Sequence, residues 1–237
     1  MRSPRLFLPQ PLAANREFLL EGERAHYLRT VLRLRRGAKL IVFDGKGGEY
    51  EAQVLSVDRR RVQIQTGAWL DREAESSLAT YLAVGIAKGE RMDWAIQKAV
   101  ELGVTAIFPL LTEYCNVRLP GDRAGHKREH WQKIAIAACE QSGRNTLPEI
   151  HLPQEFFSWI PQQSHGYLLD PHGMPLRSLE EPGQSFTLLI GPEGGLSSRE
   201  VEAAQARGFT KVSLGPRILR VETAVAASLS AVQVLWG

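Results

Sequence analysis

Ten residues, Leu78 to Ala87, most constrain how this 237-residue chain can fold, because they are nearly all apolar. A strand with one wet face alternates apolar and polar side chains. A run without alternation belongs to a strand covered on both faces, as in a parallel sheet flanked by helices. The residues that follow keep that rhythm. Met92, Ala95, Ile96 and Ala99 recur at helical spacing and stop at Gly103, and Thr105 to Leu111 reads as the next strand. Trp131, Ile134, Ala135, Ala138 and Ser142 mark a longer helix ending near Gly143. Strands are expected again at His165–Asp170, Phe186–Ile190 and Thr210–Leu214, with a helix capped by Ser197 or Ser198 and ending at Gly208. Glu222 to Trp236 closes the chain as a helix so poor in charge that both its faces are expected to be buried. This alternation predicts an α/β domain built on a parallel sheet over residues 73–237.

Residues 1–72 read differently, as a compact strand-rich module. Leu28, Val31 and Leu32 lie at helical spacing within Ala25–Arg36, with Gly37 placed to end that helix. Lys39–Phe43 and Glu49–Val54 flank the Gly-rich turn Asp44-Gly45-Lys46-Gly47-Gly48 and predict a hairpin, and Arg61–Gln65 alternates as a further strand. The polar run Asp71–Ser77 reads as a linker. The module carries 14 Lys and Arg against 8 Asp and Glu, the remainder 15 against 18, which together give the chain's net charge of +3. A basic module ahead of a mildly acidic body suits a polyanionic partner, and a solvated charged surface is the plain alternative.

Several functions are disfavoured. No apolar run is long enough to span a membrane, and Met1–Pro9 lacks the apolar core of a signal peptide, so a cytoplasmic protein is expected. Cys115 and Cys139 have no metal-ligand spacing, the histidines show no H-E-x-x-H pattern, and no metal is expected. A Ser-His-Asp hydrolase would need a G-x-S-x-G elbow, which does not occur.

Chemistry concentrates in two Gly-Pro turns. Leu188-Leu189-Ile190 runs into Gly191-Pro192-Glu193-Gly194-Gly195, and Leu214-Gly215-Pro216 leads to Ile218-Leu219-Arg220-Val221-Glu222-Thr223-Ala224. Glycine lets main chain approach a ligand closely. The first turn lacks the G-x-G-x-x-G spacing of a dinucleotide site, Pro192 removes an amide a pyrophosphate would need, and no Lys-Ser or Lys-Thr pair follows as in a P-loop. A nucleoside held by backbone groups, its base slotted between two apolar turns, fits better than a phosphate. A plain strand-to-helix turn, with Glu193 capping the helix that follows, is the alternative for the first turn alone.

These turns, with Lys88–Asp93, Lys98–Gly103, Glu140-Gln141-Ser142-Gly143-Arg144, His26–Arg33 and Phe43-Asp44-Gly45, resemble the SPOUT class of S-adenosylmethionine-dependent RNA methyltransferases. The match is most similar to the small-subunit ribosomal RNA methyltransferase E family, which methylates N3 of a uridine, and it covers almost the whole chain. The resemblance implies an α/β fold whose C-terminal parallel-sheet domain carries a deep trefoil knot, preceded by a small β-barrel PUA-like domain that docks RNA. It implies a homodimer packed through the knotted domains, with small-subunit ribosomal RNA as partner and S-adenosylmethionine as cofactor. The cofactor would be held by Leu169 in the strand end Leu168-Leu169-Asp170, and by Ile190 with Gly191, Pro192, Glu193, Gly194 and Gly195. The last loop would add Leu214, Gly215, Ile218, Leu219, Arg220, Thr223 and Ala224. The basic residues Arg2, Arg5, Arg29 and Arg33, with His26 and Lys88, would meet RNA, mostly through phosphates.

Uracil must lose its imide proton, and a cation near the ring oxygens would stabilise the anion. Arg220 beside the second turn is the first candidate, Arg91 and Arg144 the next, with Glu140 or Glu222 orienting them or acting as base. The same fold acting on a ribose 2′-hydroxyl, or a non-catalytic RNA-binding or ribosome-assembly protein, stays open at this point.

Overall fold

The computed structural model describes residues 3–119 and 121–237. The chain divides into two compact units: the first holds residues up to Glu75 together with Cys139–Leu147, and the second holds Ser76–Ala138 and Pro148–Gly237.

The first unit contains β1 (Arg5–Phe7), β2 (Glu17–Glu21), α1 (Gly22–His26), β3 (Lys39–Phe43), β4 (Glu49–Val57) and β5 (Arg61–Leu70). Its five strands lie in the order β1-β3-β4-β5-β2. β3 and β4 form the expected antiparallel hairpin, pairing Lys39 with Gln53 and Val42 with Tyr50, and β1 runs parallel to β3. Alternation decides which face is covered: Leu40 and Val42, Ala52 and Val54, Val62 and Ile64 point into one apolar core with Leu6, Leu20 and Leu28.

The helix expected over Ala25–Arg36 is much shorter. After α1 the chain widens into a π-helical turn over Tyr27–Val31, and Arg33 takes a left-handed φ of 52°. A non-glycine residue there stops helical propagation, so Val31 is left exposed and the stripe Leu28-Val31-Leu32 never becomes one helical face. The expected linker is also tied down where the first unit includes it. The Glu73 carboxylate accepts the Gly48 N–H at 2.9 Å, and Arg72 donates to the Gly143 carbonyl at 2.7 Å.

The second unit follows the alternation: β6 (Ala79–Gly85), α2 (Glu90–Glu101), β7 (Ala106–Leu111), α3 (Arg123–Ser142), β8 (Glu149–Ile150), β9 (Gln154–Glu155) and α4 (Phe156–Trp159). Then come β10 (Gly166–Pro175), β11 (Ser185–Ile190), α5 (Ser198–Ala206), β12 (Phe209–Ser213) and α6 (Val221–Trp236). The sheet runs β12-β10-β11-β6-β7-β8, with β9 also on β7, and every pairing is parallel. Leu82, Ala83 and Val84 of β6 are wholly buried, which is why that segment shows no alternation.

Two features place the site. β10 lies between β11 and β12, so the carboxyl ends of three strands emerge side by side. Helix α6 buries only one face, through Val221, Ala224, Val225, Ser228, Leu229 and Val232, and leaves Val234 85% exposed. Low charge foretold burial on both sides; within one chain α6 has a covered face and an apolar open one.

Candidate functional site

A cavity of about 370 Å³ opens at the carboxyl ends of β10, β11 and β12, where open α/β sheets characteristically hold ligands. The end of β10 contributes Leu168, Leu169, Asp170 and Pro171. The turn after β11 contributes Ile190, Gly191, Pro192, Glu193, Gly194 and Gly195, followed by Leu196 and Val201 of the next segment. The stretch after β12 contributes Leu214, Gly215, Arg217, Ile218 and Leu219, with Val221 and Ala224 from the first turn of α6. The lining comes from three segments that follow neighbouring strands of one half of the sheet. Arg220 and Thr223, expected here, do not line it. Val221 and Ala224 share the helix face turned to the cavity, and Arg220 and Thr223 stand exposed on another side.

The glycines differ in what they permit. A β-carbon on Gly191 would lie 2.9 Å from the carbonyl carbon of Gly195 and 3.0 Å from the Leu196 nitrogen, so this glycine lets the turn fold back on itself. The Gly195 N–H then closes the turn on the Pro192 carbonyl at 2.8 Å. Gly195 and Gly215 have φ of 74° and 117°, and apart from their chain neighbours no described residue comes within 4 Å of a β-carbon built there. Gly85, not singled out in the sequence, ends β6 where a β-carbon would strike the Pro192 ring.

Two carboxylates brace the cavity. Asp170 pairs with Lys211 at 2.6 Å and accepts the His172 N–H at 2.8 Å. Partial burial pushes its carboxyl upward, but Lys211 and the His172 amide outweigh that and hold it below the usual range. Glu193 does not cap the following helix. It reaches back to accept the Lys88 N–H at 3.2 Å and to pair with Arg91 at 3.0 Å, tying the head of α2 to the turn. Burial again pushes its carboxyl up, and its own amide, Lys88 and Arg91 together bring it below the usual value. The cap of α5 is Ser197, whose hydroxyl accepts the Glu200 N–H while Glu200 accepts the Ser197 N–H at 2.8 Å, a capping box. Lys88 and Arg91 are exposed beside this turn.

The other candidates belong to the first unit. Arg144 is buried, its guanidinium gripped in two places by Glu75, at 3.0 and 2.5 Å. Glu140 accepts the Phe7 N–H at 2.9 Å; burial raises its carboxyl, against the lowering effects of that bond and of Arg24 and Arg5. Arg5 was expected at an RNA-facing surface and is only 9% exposed, paired with Glu49 at 2.5 Å and donating to the Arg144 carbonyl at 3.2 Å. A guanidinium so placed has no phosphate within reach. His26 and Arg33 are exposed, and Arg29 spends one donor on the Arg59 carbonyl at 2.6 Å. Arg2 lies outside the described residues.

Among the described residues, no group of three His, Cys, Asp or Glu side chains could hold a metal, and no helix is long and apolar enough to cross a membrane.

Residues 74–233 match the RNA methyltransferase domain family and residues 20–66 the RNA methyltransferase PUA domain family. The chain is 35% identical over 240 residues to the ribosomal RNA small subunit methyltransferase E of Buchnera aphidicola (from Schizaphis graminum), covering 100% of this chain and 98% of that protein. The chain belongs to the ribosomal RNA small subunit methyltransferase E family. Two solved structures are similar along their whole length. A putative methyltransferase from Legionella pneumophila, in complex with the cofactor SAM, has a TM-score of 0.95 at 35% identity, covering 100% of this chain and 99% of that one. A ribosomal RNA small subunit methyltransferase E from Neisseria gonorrhoeae, bound to S-adenosyl methionine, has a TM-score of 0.93 at 35% identity with the same coverage. For a member of this family, the α/β unit with its parallel sheet is the methyltransferase domain, and the first unit contains the PUA domain.

Proposed function

We propose that this chain transfers a methyl group from S-adenosylmethionine to N3 of a uridine in small-subunit (16S) ribosomal RNA. The observation that carries the reading is the cavity of about 370 Å³ closed by three strand ends, in a chain of this family.

Its lining suits the cofactor. Leu169, Ile190, Leu214, Ile218, Leu219 and Ala224 offer aliphatic walls to a flat base, and main chain from Gly191 to Gly195 offers peptide groups for its edge. At Gly195 and Gly215 the space that a side chain would fill is open, a cradle for a bound group. Asp170, held ionised by Lys211, presents an acceptor suited to ribose hydroxyls. When bound, S-adenosylmethionine supplies a methyl group already activated by its sulfonium.

The protein's remaining work is to hold a uracil in line and to carry the charge left when its imide proton departs. Arg220, exposed at the N-cap of α6, and Arg91, fixed by Glu193, are the cations we assign to the ring oxygens. Arg144 and Glu140 are better placed to hold the first unit together, because Glu75 and the Phe7 amide already occupy them. His26, Arg29, Arg33 and Lys88 remain the RNA contacts, supplying affinity through phosphates.

The finer architecture belongs to the same reading: residues 1–72 as a PUA-like β-barrel that docks RNA, residues 73–237 as the transferase domain with a deep trefoil knot. Placement of β10 between the later strands β11 and β12 supports the knot. A homodimer is supported by the open apolar side of α6, where Ala231, Val234 and Leu235 join Pro175, Leu176 and Leu214 around a groove of about 480 Å³. A ribosomal RNA substrate supports a cytoplasmic location.

The test is calorimetry with S-adenosylmethionine, followed by transfer to small-subunit RNA or particles and mass mapping of the modified nucleoside. Absence of binding sinks the reading at its first step; a ribose-methylated product would move the target from N3 to the 2′-hydroxyl.

A further inference from the structure

Tyr114 lies outside the cavity, and nothing so far has used it. It is 48% exposed, an unusual position for a ring on a segment this well anchored. The Glu113 N–H donates to the buried Glu200 carboxylate at 2.9 Å. On the other side the Cys115 N–H donates to the Thr112 carbonyl at 3.0 Å, and the Cys115 thiol to the Ile86 carbonyl at 3.3 Å. Both neighbours of Tyr114 are therefore pinned: Glu200 lies in the first turn of α5, which lends Val201 to the cavity, and Ile86 follows β6, whose last residue Gly85 packs on Pro192.

The root of the ring touches the cavity's own wall. A β-carbon on Gly194 would lie 2.8 Å from Tyr114 Cβ, 3.2 Å from its carbonyl oxygen and 3.6 Å from its ring carbon Cγ. Gly194 both lines the cavity and packs against Tyr114, so one residue joins the cavity wall to the segment that carries the ring. Its conformation does not demand glycine; closeness to Tyr114 does. The residue before Gly194, Glu193, pairs with Arg91 and accepts the Lys88 N–H, so the turn that packs on Tyr114 is itself tied to the head of α2. A half-exposed aromatic side chain on a braced backbone, packed at its root against the wall of the cavity, fits an unstacked nucleobase presented at that cavity.

We propose that Tyr114 is the platform on which the target nucleobase stacks when it is presented to the cofactor cavity, making it a substrate-positioning residue. This rests on the RNA-methylating reading above. Stacking tolerates any aromatic ring, so the phenol hydroxyl has no part in it. Removing the ring should cost about 5- to 150-fold in productive RNA binding, the usual range for a base–aromatic stack.

The experiment combines three variants with a crosslink. Tyr114→Ala and Tyr114→Leu should lower kcat/KM for small-subunit RNA at least fivefold, with S-adenosylmethionine affinity and melting temperature unchanged. Tyr114→Phe should keep wild-type kcat/KM. A uridine oligonucleotide carrying 5-iodouridine should photocrosslink to the peptide that contains Tyr114. Equal activity in Ala and wild type, equal loss in Phe and Ala, loss of cofactor binding in Ala, or crosslinks only elsewhere would each overturn the platform. Methylation by the wild-type chain is read separately: no RNA product at all would overturn the underlying reaction, whereas product with an indifferent Tyr114 overturns only this proposal.

Discussion

Glu200 is where one substitution should reach both the fold and the site. Its side chain is buried, 1% exposed, and one carboxylate oxygen accepts the Ser197 N–H at 2.8 Å while the other accepts the Glu113 N–H at 2.9 Å. Glu200→Gln keeps shape and volume but turns one acceptor into an NH₂ donor. That donor must face either the Ser197 amide at the N-cap of α5 or the Glu113 amide, so one buried N–H loses its partner. A bond to a charged acceptor contributes about 1.5–3 kcal/mol, and an unsatisfied buried donor costs about 1–3 kcal/mol. We expect a loss of about 2–3 kcal/mol, or a melting temperature lower by about 4–12 °C in a chain of this size. Glu200→Ala abandons both amides and leaves a cavity, so it should lose more. Ser197→Ala should lose less, about 1 kcal/mol, because its bond to the Glu200 N–H is long at 3.4 Å. Circular-dichroism melts order the three variants, and hydrogen exchange should quicken at the Ser197 and Glu113 amides while β6 stays protected. A glutamine variant melting within 2 °C of wild type, or unchanged exchange at both amides, would refute the account of the double acceptor.

Four further outcomes follow from the geometry. Gly215→Val forces a β-branched residue to φ 117° and puts its side chain into the open cradle, so S-adenosylmethionine affinity by calorimetry should fall at least tenfold. Arg220→Ala should lower kcat more than cofactor affinity, since the side chain does not line the cavity; equal losses would make it a binding residue. Arg5→Ala should destabilise by about 3–5 kcal/mol in denaturant titration by stranding buried Glu49, although Arg72 at 3.3 Å softens the loss, whereas Arg33→Ala should leave stability unchanged and weaken RNA binding in a salt-dependent way. Because the folded-state carboxyl of Glu193 is depressed, its stabilising contribution is complete above the ordinary glutamate value and disappears only as pH falls through its lower folded one. The stability difference between wild type and Glu193→Gln should therefore be flat from pH 8 to about pH 5 and shrink in more acidic solution.

The parallel sheet was legible because burial on both faces writes itself into a local run: Leu82, Ala83 and Val84 need no knowledge of their partners to look apolar. A serine cap, at Ser197 or Ser198, was legible for the same reason, since donor and acceptor lie three residues apart, and the structure takes Ser197. The failures have other causes. The stripe Leu28-Val31-Leu32 looks helical, yet Arg33 turns left-handed at a position that the helical period cannot flag. Arg5 looks like a phosphate contact until Glu49, 44 residues on, neutralises it in a buried pair. Glu193 looks like a cap until Arg91, 102 residues earlier, claims it. In the last two cases the deciding partner is distant in sequence, and charge is the property most easily reassigned by such a partner.

The glycines carry this furthest. Read in sequence, a glycine says only that something approaches the main chain closely or that φ is positive. In space the site's glycines separate into two kinds. At Gly191 the close neighbour is its own turn, at Gly85 it is Pro192, and at Gly194 it is Tyr114; these three let protein meet protein. At Gly195 and Gly215 the neighbour is missing, although both line the cavity and both hold a φ that side chains resist. The φ alone demands glycine at both, as it does at Gly37 and Gly183, where nothing lies within 4 Å either; what sets these two apart is their place in the cavity wall. The first group therefore explains how the loops close, and the second marks where an added side chain would meet the ligand proposed for the cavity. Substitution separates them: Gly191→Ala should cost stability before affinity, and Gly195→Ala affinity before stability, when melts and calorimetry are run side by side.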